Sequence, residues 1–341
     1  MQTTTTRQIA LKGYPHGEPT ENDFEVREAP LAAPAEGEVL YRVIYLSLDP
    51  YMRGRMSPAK SYADPVPIGG VMVGATVGQV VASRDERFAP GDFVLGYGGW
   101  QTFAQESGSK LIKLDPKKAP ISYSLGVLGM PGATAYCALL DIGKPKAGET
   151  LVVSAASGAV GSVAGQIGKI LGLRVVGIAG GKKKCTYVVE ELGFDACVDR
   201  NEGDLSAALL AATPDGIDVY YDNTAGPILE AVLKLINLHA RIALVGLISQ
   251  YNATSKPSGP DLRPLLTKRA RIEGYLYMDS TNRLADFLRD VSGWLHDGKI
   301  KYKEDVVEGL ERAPRAFIGL LRGENFGKLV VKVADDPSRK A

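Results

Sequence analysis

The sequence predicts two domains: a β-rich domain of the barrel or sandwich type, and an α/β domain with a doubly wound parallel sheet. Three observations support this. The chain has 341 residues, a length that favours two domains. Residues 1–127 contain many short strand patterns separated by glycine and proline. From Gly148 onward, apolar strand patterns alternate with helical patterns. We expect one discontinuous domain over 1–127 and 306–341, and a second over 128–305.

The β-rich domain is predicted from short apolar runs between turn residues. The strongest strand candidate is Glu38–Ser47, and weaker ones cover 71–81, 93–96 and 100–104. A final strand over 326–333 is expected to return to this domain.

The α/β domain is predicted from a regular alternation of strands and helices. Strands are expected at 151–153, 174–179, 196–198, 217–222 and 241–246. Helices are expected at 160–171, 183–192, 204–212 and 227–235, and a last one at 282–297, where apolar residues recur at helical spacing. Successive strands joined by helices form a parallel sheet covered on both faces.

Composition and charge exclude several classes of protein. Lys and Arg number 40 against 39 Asp and Glu, so the basic excess of a nucleic-acid binder is absent. The uncharged segment 150–168 could be interpreted as a membrane span, but its glycines, serines and glutamine favour a strand, a turn and a helix. The odd number of cysteines (Cys137, Cys185 and Cys197) favours reduced thiols in the cytoplasm.

A glycine-rich motif follows the first strand of the α/β domain. It reads Ala156-x-Gly158-x-x-Gly161, with alanine at the first glycine of G-x-G-x-x-G. Gly158 would let the backbone approach a pyrophosphate, and Gly161 would let the following helix pack closely on the strand. This strand, turn and helix context favours a dinucleotide site over a tight turn without a ligand.

The next strand indicates which dinucleotide is bound. An NAD site usually carries an acidic residue about 20 residues after the motif, on the ribose hydroxyls. In this chain the strand is followed by Lys182, Lys183 and Lys184, with no acidic residue before Glu190. Lysines at a helix N-terminus oppose the helix dipole unless an anion is present. We therefore predict NADPH, with Lys184 as a principal contact to its 2′-phosphate.

Several longer motifs carry a resemblance to a known family. They include Leu48-Asp-Pro-Tyr-Met-Arg53, Gly129-Met-Pro-Gly-Ala-Thr-Ala-Tyr136, Tyr221-Asp-Asn223, Gly246-Leu-Ile-Ser-Gln-Tyr-Asn252 and Asn325-Phe-Gly-Lys328. The chain resembles the zinc-independent medium-chain dehydrogenases/reductases, in the group of prostaglandin, alkenal and curcumin reductases. The resemblance implies a GroES-like β-barrel domain, a Rossmann domain, an active site in the cleft between them, and often a homodimer.

The resemblance also implies the residues that hold the cofactor. Most are in the second domain: Pro131, Gly158, Ala159, Val160, Gly161, Lys184, Asn223, Val245, Gly246, Ile248, Ser249, Tyr251, Tyr275, Leu276 and Tyr277. Asn325 is the remaining one in the family pattern. The chain departs from that pattern at Arg200, where the family commonly has tyrosine, and at Gly181-Lys182-Lys183, where it commonly has serine and acidic residues. Both changes add positive charge beside the expected 2′-phosphate.

A metal site is not expected. The three histidines, His16, His239 and His296, are far apart in sequence. The cysteines do not form the closely spaced cluster of a structural zinc site. We therefore predict no bound metal.

The chemistry is assigned to Tyr251. Reduction of a C=C bond conjugated to a carbonyl delivers hydride to the β-carbon and leaves charge on the enolate oxygen, which a donor stabilises. Tyr251 is the catalytic candidate because a phenol is a neutral donor at pH 7, although a shape-filling role is nearly as well supported. The α-carbon proton comes from Tyr251 or from water. Tyr51 and Tyr251 are expected to contact substrate, whereas Arg53 fits a structural ion pair better.

The function predicted from these residues is NADPH-dependent reduction of α,β-unsaturated ketones and aldehydes. An NADPH:quinone oxidoreductase is the nearest alternative, because a quinone also accepts hydride into a conjugated system and the fold does not separate the two. A non-catalytic NADPH-binding protein is a second alternative. Turnover of an alkenone, a quinone or neither would separate the three.

Overall fold

The computed structural model describes residues 5–339, apart from the side chain of Thr281, and divides into two compact units. Unit 1 contains the chain up to Gly126, Glu304–Asn325, and the residues from Leu329 onward. Unit 2 contains Val127–Lys303 and Phe326–Lys328.

Strands dominate the first part of the chain, and strands alternate with helices in the second. The strands of the described residues are β1 (Thr5–Leu11), β2 (Phe24–Pro30), β3 (Glu38–Ser47), β4 (Thr76–Ser83), β5 (Phe93–Gly96), β6 (Phe103–Ser107), β7 (Ile112–Leu114), β8 (Thr150–Ser154), β9 (Arg174–Ala179), β10 (Ala196–Asp199), β11 (Ile217–Asp222), β12 (Ile236–Leu244), β13 (Arg271–Gly274), β14 (Glu304–Glu308) and β15 (Lys328–Lys332). The α-helices are α1 (Met52–Arg55), α2 (Met130–Ala138), α3 (Gly161–Ile170), α4 (Lys182–Glu190), α5 (Leu205–Ala212), α6 (Gly226–Leu233), α7 (Arg263–Thr267), α8 (Leu284–His296) and α9 (Ala313–Arg322).

Unit 1 is built around β3, whose residues from Val43 to Ser47 are all buried. A seven-stranded sheet has the order β14-β15-β3-β4-β5-β7, with β6 also paired to β3, and β1 pairs with β2 in a separate ribbon. Strand β15 is antiparallel to β3, with Val330 opposite Ser47. The C-terminal strand therefore belongs to the sheet of unit 1. Trp100 is fully buried and stacks on Phe24 with ring centroids 5.5 Å apart.

Unit 2 contains a six-stranded sheet in the order β10-β9-β8-β11-β12-β13. All five strand pairs are parallel. Strands are added in one direction from β8 to β10 and in the opposite direction from β11 to β13. The order therefore reverses between β8 and β11, which are parallel neighbours although three crossovers separate them in sequence. The predicted doubly wound parallel sheet is confirmed, and a sheet of this kind binds ligands at the carboxyl ends of its strands, at the reversal point.

The central strands of unit 2 could be predicted because both of their faces are covered. Five of the six residues of β9 are buried, which requires a continuous apolar run rather than alternation. Helix α3 packs closely on this sheet through glycines. A Cβ on Gly168 would lie 2.6 Å from Cδ2 of Leu151, so a larger residue there would require the Leu151 side chain to move.

Several predicted elements differ from those observed. The strand expected at 71–81 begins only at Thr76, because the backbone around Met72 bonds instead to Ile9 and Trp100. The strand expected at 100–104 is β6, which begins at Phe103. The backbone N–H of Trp100 is bonded to Met72, which ties it to another loop.

The segment 275–277 is not a strand, although its two tyrosines, Tyr275 and Tyr277, have the spacing of residues on one strand face. Strand β13 ends at Gly274, and Tyr277 begins a 3₁₀ helix that runs to Arg283. The carboxylate of Asp279 accepts a hydrogen bond from the Leu276 N–H at 3.3 Å, which turns the chain away from the sheet. The helix expected at 282–297 therefore starts later, at Leu284.

No helix among residues 5–339 combines the length and apolar character needed to cross a membrane.

Candidate functional site

The reversal point of the unit 2 sheet joins the ends of β8 and β11. Ser154 ends β8, and Asn223 follows β11. The Asn223 backbone N–H donates to Ser154 Oγ at 2.8 Å, and its side-chain amide donates to the Ser154 carbonyl at 2.7 Å. The two turns above the sheet are therefore held in one fixed arrangement.

The side chain of Asp222, the last residue of β11, holds the turn after this strand through hydrogen bonds. Its side chain is fully buried, and Oδ1 accepts hydrogen bonds from the Tyr220 hydroxyl at 2.9 Å and from the N–H groups of Thr224 and Ala225 at 2.9 and 2.8 Å. Burial raises the pKa of this carboxyl, and the hydrogen bonds only partly oppose that effect. These bonds hold Ala225 at φ 56°, a left-handed conformation that is uncommon for alanine.

The glycine motif forms the turn between β8 and α3. Ala155 has φ 50°, and its carbonyl accepts the Gly158 N–H at 2.9 Å. A Cβ on Gly161 would overlap the Ala155 carbonyl oxygen, so only glycine fits there. A Cβ on Gly158 would meet no atom within 4 Å except that same oxygen. Ala159 and Val160 complete the turn before α3 begins at Gly161.

The turn between β9 and α4 gathers positive charge. Gly181 has φ 92° and precedes α4, whose first three residues are lysines. Lys182 and Lys183 are exposed, while Lys184 is half-buried. Arg200 follows β10, and its side chain lies over this turn. Its Nε is 3.1 Å from the point that a Cβ atom on Gly180 would occupy.

Asp199 and Asn201 flank Arg200, and neither was predicted from the sequence. Asp199 Oδ1 accepts the Gly181 N–H at 2.8 Å and the Asn201 N–H at 3.0 Å. The Asn201 amide nitrogen lies 3.4 Å from the Cβ position of Gly180. An acidic side chain therefore does reach this turn, but one of its oxygens is used to fix the backbone. Their position at the carboxyl end of β10, beside β9 in the sheet, was the available signal.

These features fit a dinucleotide that carries a 2′-phosphate. The open side of Gly158 and the N-terminus of α3 suit a pyrophosphate, because backbone N–H groups and the helix dipole favour anions. The β9–α4 turn presents a lysine, an arginine and the N-terminus of α4 on the same edge of the sheet. A guanidinium group pairs well with phosphate oxygens.

The segment after β12 holds Tyr251. The Val245 and Gly246 N–H groups donate to the Asp222 carbonyl at 2.8 and 3.1 Å. A 3₁₀ turn over Ile248–Gln250 follows, and Ser249 Oγ donates to the Thr224 carbonyl at 2.6 Å. The loop is thereby tied to the turn after β11.

The Tyr251 hydroxyl is fixed by its own loop. It accepts a hydrogen bond from the Leu247 N–H at 3.3 Å. Burial raises the pKa of this phenol, and the bond from Leu247 opposes that effect more weakly. The hydroxyl is therefore neutral at physiological pH, and accepting one bond leaves its proton available to a substrate oxygen.

The remaining predicted cofactor residues in unit 2 differ in how far their side chains are buried. Pro131 is buried in the first turn of α2. Tyr275 is buried, and its hydroxyl bonds to Ser280 Oγ inside the unit. Leu276 is exposed and Tyr277 is half-buried. The hydroxyl of Tyr275 is therefore bonded within unit 2.

Three predicted residues lie in unit 1. Asn325 ends the segment after α9, and Tyr51 precedes α1, where burial raises the pKa of its hydroxyl. Arg53 is buried and donates to the carbonyl oxygens of Gly17 at 2.7 Å and Pro15 at 3.3 Å. These bonds attach α1 to the loop after β1.

The histidines are exposed and separate. His16 lies in a loop, His239 on β12 and His296 at the end of α8. Over residues 5–339, no group of three or more His, Cys, Asp or Glu side chains gathers as a metal site would require.

Comparison with known proteins decides the family. Residues 7–114 match a family described as the N-terminal domain of oxidoreductase, and residues 159–292 match one described as zinc-binding dehydrogenase. The chain is 52% identical over 341 residues to the NADPH-dependent curcumin reductase of Escherichia coli (strain K12), covering 98% of this chain and 99% of the relative. The chain belongs to the zinc-independent medium-chain dehydrogenase/reductase family. The resemblance inferred from the sequence is confirmed.

Two further members of this reductase group are similar over nearly the whole chain. The NADP⁺-dependent 2-alkenal reductase of Nicotiana tabacum is 42% identical over 336 residues, covering 97% of this chain and 98% of the relative. The crystal structure of CurA from Vibrio vulnificus in complex with NADPH has a TM-score of 0.93 and 52% identity, covering 97% of this chain and 100% of that one. Both support the barrel-plus-Rossmann fold class.

Proposed function

We propose that this reductase uses NADPH to reduce the C=C bond of α,β-unsaturated ketones and aldehydes. The observation that carries the proposal is the placement of two features on one edge of the unit 2 sheet. A turn with Lys184 follows β9 and is covered by Arg200, and a neutral phenol, Tyr251, follows β12. The names of the curcumin and 2-alkenal reductases support the same reaction class.

The cofactor residues are proposed by their positions. Gly158, Ala159, Val160 and Gly161 would hold the pyrophosphate, and Lys184 and Arg200 the 2′-phosphate. The remaining proposed contacts are Pro131, Asn223, Val245, Gly246, Ile248, Ser249, Tyr251, Tyr275, Leu276, Tyr277 and Asn325. When bound, reduced nicotinamide supplies the hydride that adds to the β-carbon of the substrate.

Tyr251 has the catalytic role in this proposal. As hydride reaches the β-carbon, electrons shift to the carbonyl oxygen, and the phenol donates a hydrogen bond to that oxygen. The α-carbon of the resulting enolate then takes a proton from Tyr251 or from water, which gives the saturated carbonyl product. The Leu247 N–H holds the phenol oxygen in place before the reaction, so little reorganisation is needed. Tyr51 is proposed as a second substrate contact.

Turnover with a panel of acceptors tests the proposal. NADPH oxidation would be followed with an alkenone, an alkenal and a quinone, and products analysed by mass spectrometry. We expect a product in which the C=C bond is reduced and the C=O bond is unchanged. Turnover of the quinone alone would support the quinone oxidoreductase alternative. Tight NADPH binding without turnover of any acceptor would support a non-catalytic binding protein.

The edge strand β13 supports a proposed homodimer. All four of its residues are exposed, and it pairs with β12 on one side only. Nearby apolar side chains are also exposed, with Leu262 at 61% and Leu266 at 80% of their full area. Pairing of two β13 strands would cover this edge. Light scattering of the purified protein, and of Leu266→Glu, tests it: the variant should be monomeric.

Two further proposals follow from composition and topology. The chain is proposed to form domains over 1–127 with 306–341, and over 128–305, whereas the compact units place Phe326–Lys328 with the second. The protein works in the cytoplasm, which suits three cysteines that are all free. Limited proteolysis and cell fractionation test these proposals separately.

A further inference from the structure

Four side chains form a cation–aromatic cluster in unit 2, which we call the Phe326 cluster: Lys183, Tyr187, Lys303 and Phe326. The Tyr187 and Phe326 rings meet edge to face with centroids 4.8 Å apart. The Lys303 ammonium lies 4.5 Å from the Phe326 centroid, and the Lys183 ammonium lies 5.6 Å from it. Lys183 and Tyr187 are four residues apart on α4, so both reach the ring from one helix face.

The Phe326 cluster adjoins the glycine motif through the backbone. Gly327 forms a parallel bridge with Gly158. On its other side, the Lys328 N–H donates to the Lys303 carbonyl at 2.9 Å. Gly327 has φ 93°, and a side chain there would overlap the Lys303 carbonyl oxygen. The segment Gly327–Lys328 thus lies between Lys303 and the turn proposed to hold the pyrophosphate, and it is hydrogen-bonded to Lys303.

The charges of this cluster are not balanced by carboxylates, unlike those of neighbouring lysines. Lys299 pairs with Asp297 at 3.1 Å, and Lys301 pairs with Glu191 at 3.0 Å. Within residues 5–339, Lys183 and Lys303 form no ion pair with a carboxylate. Two ammonium groups brought to one ring repel each other, and an anion nearby would relieve that repulsion.

We propose that Lys183 and Lys303 form a second cationic site, which binds the pyrophosphate of the cofactor and does not read its 2′-phosphate. Phe326 is the positioning residue that holds both ammonium groups beside the Gly158 turn. This inference rests on the proposed use of NADPH. It divides the work between two sites: Lys184 and Arg200 select NADPH over NADH, whereas the Phe326 cluster strengthens binding of either nucleotide.

The test compares NADPH and NADH binding to Lys303→Gln, measured by calorimetry at low and high salt. The control is Lys299→Gln, which removes a nearby positive charge that is already paired. Loss of one exposed charge contact should raise both dissociation constants by about threefold to tenfold at low salt. The effect should shrink at high salt because screening weakens exposed charges. Lys303→Arg should retain binding.

Several outcomes would overturn the inference. Unchanged dissociation constants would show that the cluster is only structural, as would a loss that does not depend on salt. Weaker binding of NADPH alone would place Lys303 at the 2′-phosphate. Wild-type protein that binds NADPH but reduces no enone would remove the proposed reaction and leave this test valid. Wild-type protein that binds neither nucleotide would overturn both proposals.

Discussion

Replacing Arg200 with glutamine should weaken NADPH binding and leave NADH binding unchanged. Arg200 is exposed, and its Nε and a terminal nitrogen lie 3.1 and 3.4 Å from the Cβ position of Gly180. Its guanidinium group therefore covers the β9–α4 turn. The part of the chain that the structure describes contains no ion-pair partner for it, so its charge is available to a phosphate.

The magnitude follows from the exposure of this group. A hydrogen bond to a charged group contributes about 1.5–3 kcal/mol. Solvent screening reduces the contribution of an exposed pair to about 1 kcal/mol. This corresponds to an increase of about fivefold in the dissociation constant for NADPH. NADH lacks the 2′-phosphate and should bind as before.

The assay is titration of both nucleotides against wild type and Arg200→Gln, with kcat/KM measured on one enone. Arg84→Gln is the control, since Arg84 is an exposed arginine of unit 1 paired with Glu36. An equal loss for NADH and NADPH would refute the reasoning, because it would show a general effect on the turn. An unchanged NADPH dissociation constant would remove Arg200 from the 2′-phosphate site.

Three further changes test other parts of the site. Tyr251→Phe should lower kcat by about a hundredfold with little change in KM, because it removes only the donor to the developing oxyanion; an unchanged kcat would assign Tyr251 a shape-filling role. Gly161→Ala should abolish NADPH binding and lower the free energy of unfolding by about 1–3 kcal/mol, because the new methyl group would overlap the rigid Ala155 carbonyl. Gly293→Ala, where the methyl group meets nothing within 4 Å, is its control, and calorimetry measures both. Burial raises the pKa of Asp222, so its contribution to stability is complete below the unfolded pKa of about 3.9 and is lost as pH rises through the folded pKa. Asp222→Asn should remove this slope in urea unfolding, and identical slopes would contradict it.

The central strands of unit 2 could be predicted because they are buried on both faces. Strands β9 and β11 were predicted with the observed bounds, since their apolar runs stand out from the helices between them. Strand β13 carries no such signal, because its four residues are exposed at an edge. The sequence Tyr275 to Tyr277 has the alternation of a strand, but the hydrogen bond that Asp279 accepts turns the chain there.

The sequence predicted only those site residues that belong to a local motif. The glycine motif and the lysine run are local, so they were visible in the sequence. Asp199 reaches the β9–α4 turn from the next strand, 18 residues after Gly181. The Leu247 hydrogen bond that fixes Tyr251 depends on the path of a loop. Such contacts depend on the folded chain, and local sequence patterns do not encode them.

The bridge between Gly158 and Gly327 has a consequence for biosynthesis. One side of the glycine turn is made by residues in the first part of unit 2, and the other by the separate segment Phe326–Lys328. Pairing of such distant segments requires a large loop to close first. During translation, the turn therefore stays incomplete until Gly327 has left the ribosome. A nascent chain truncated before Phe326 should contain most of the parallel sheet and still lack a finished nucleotide pocket.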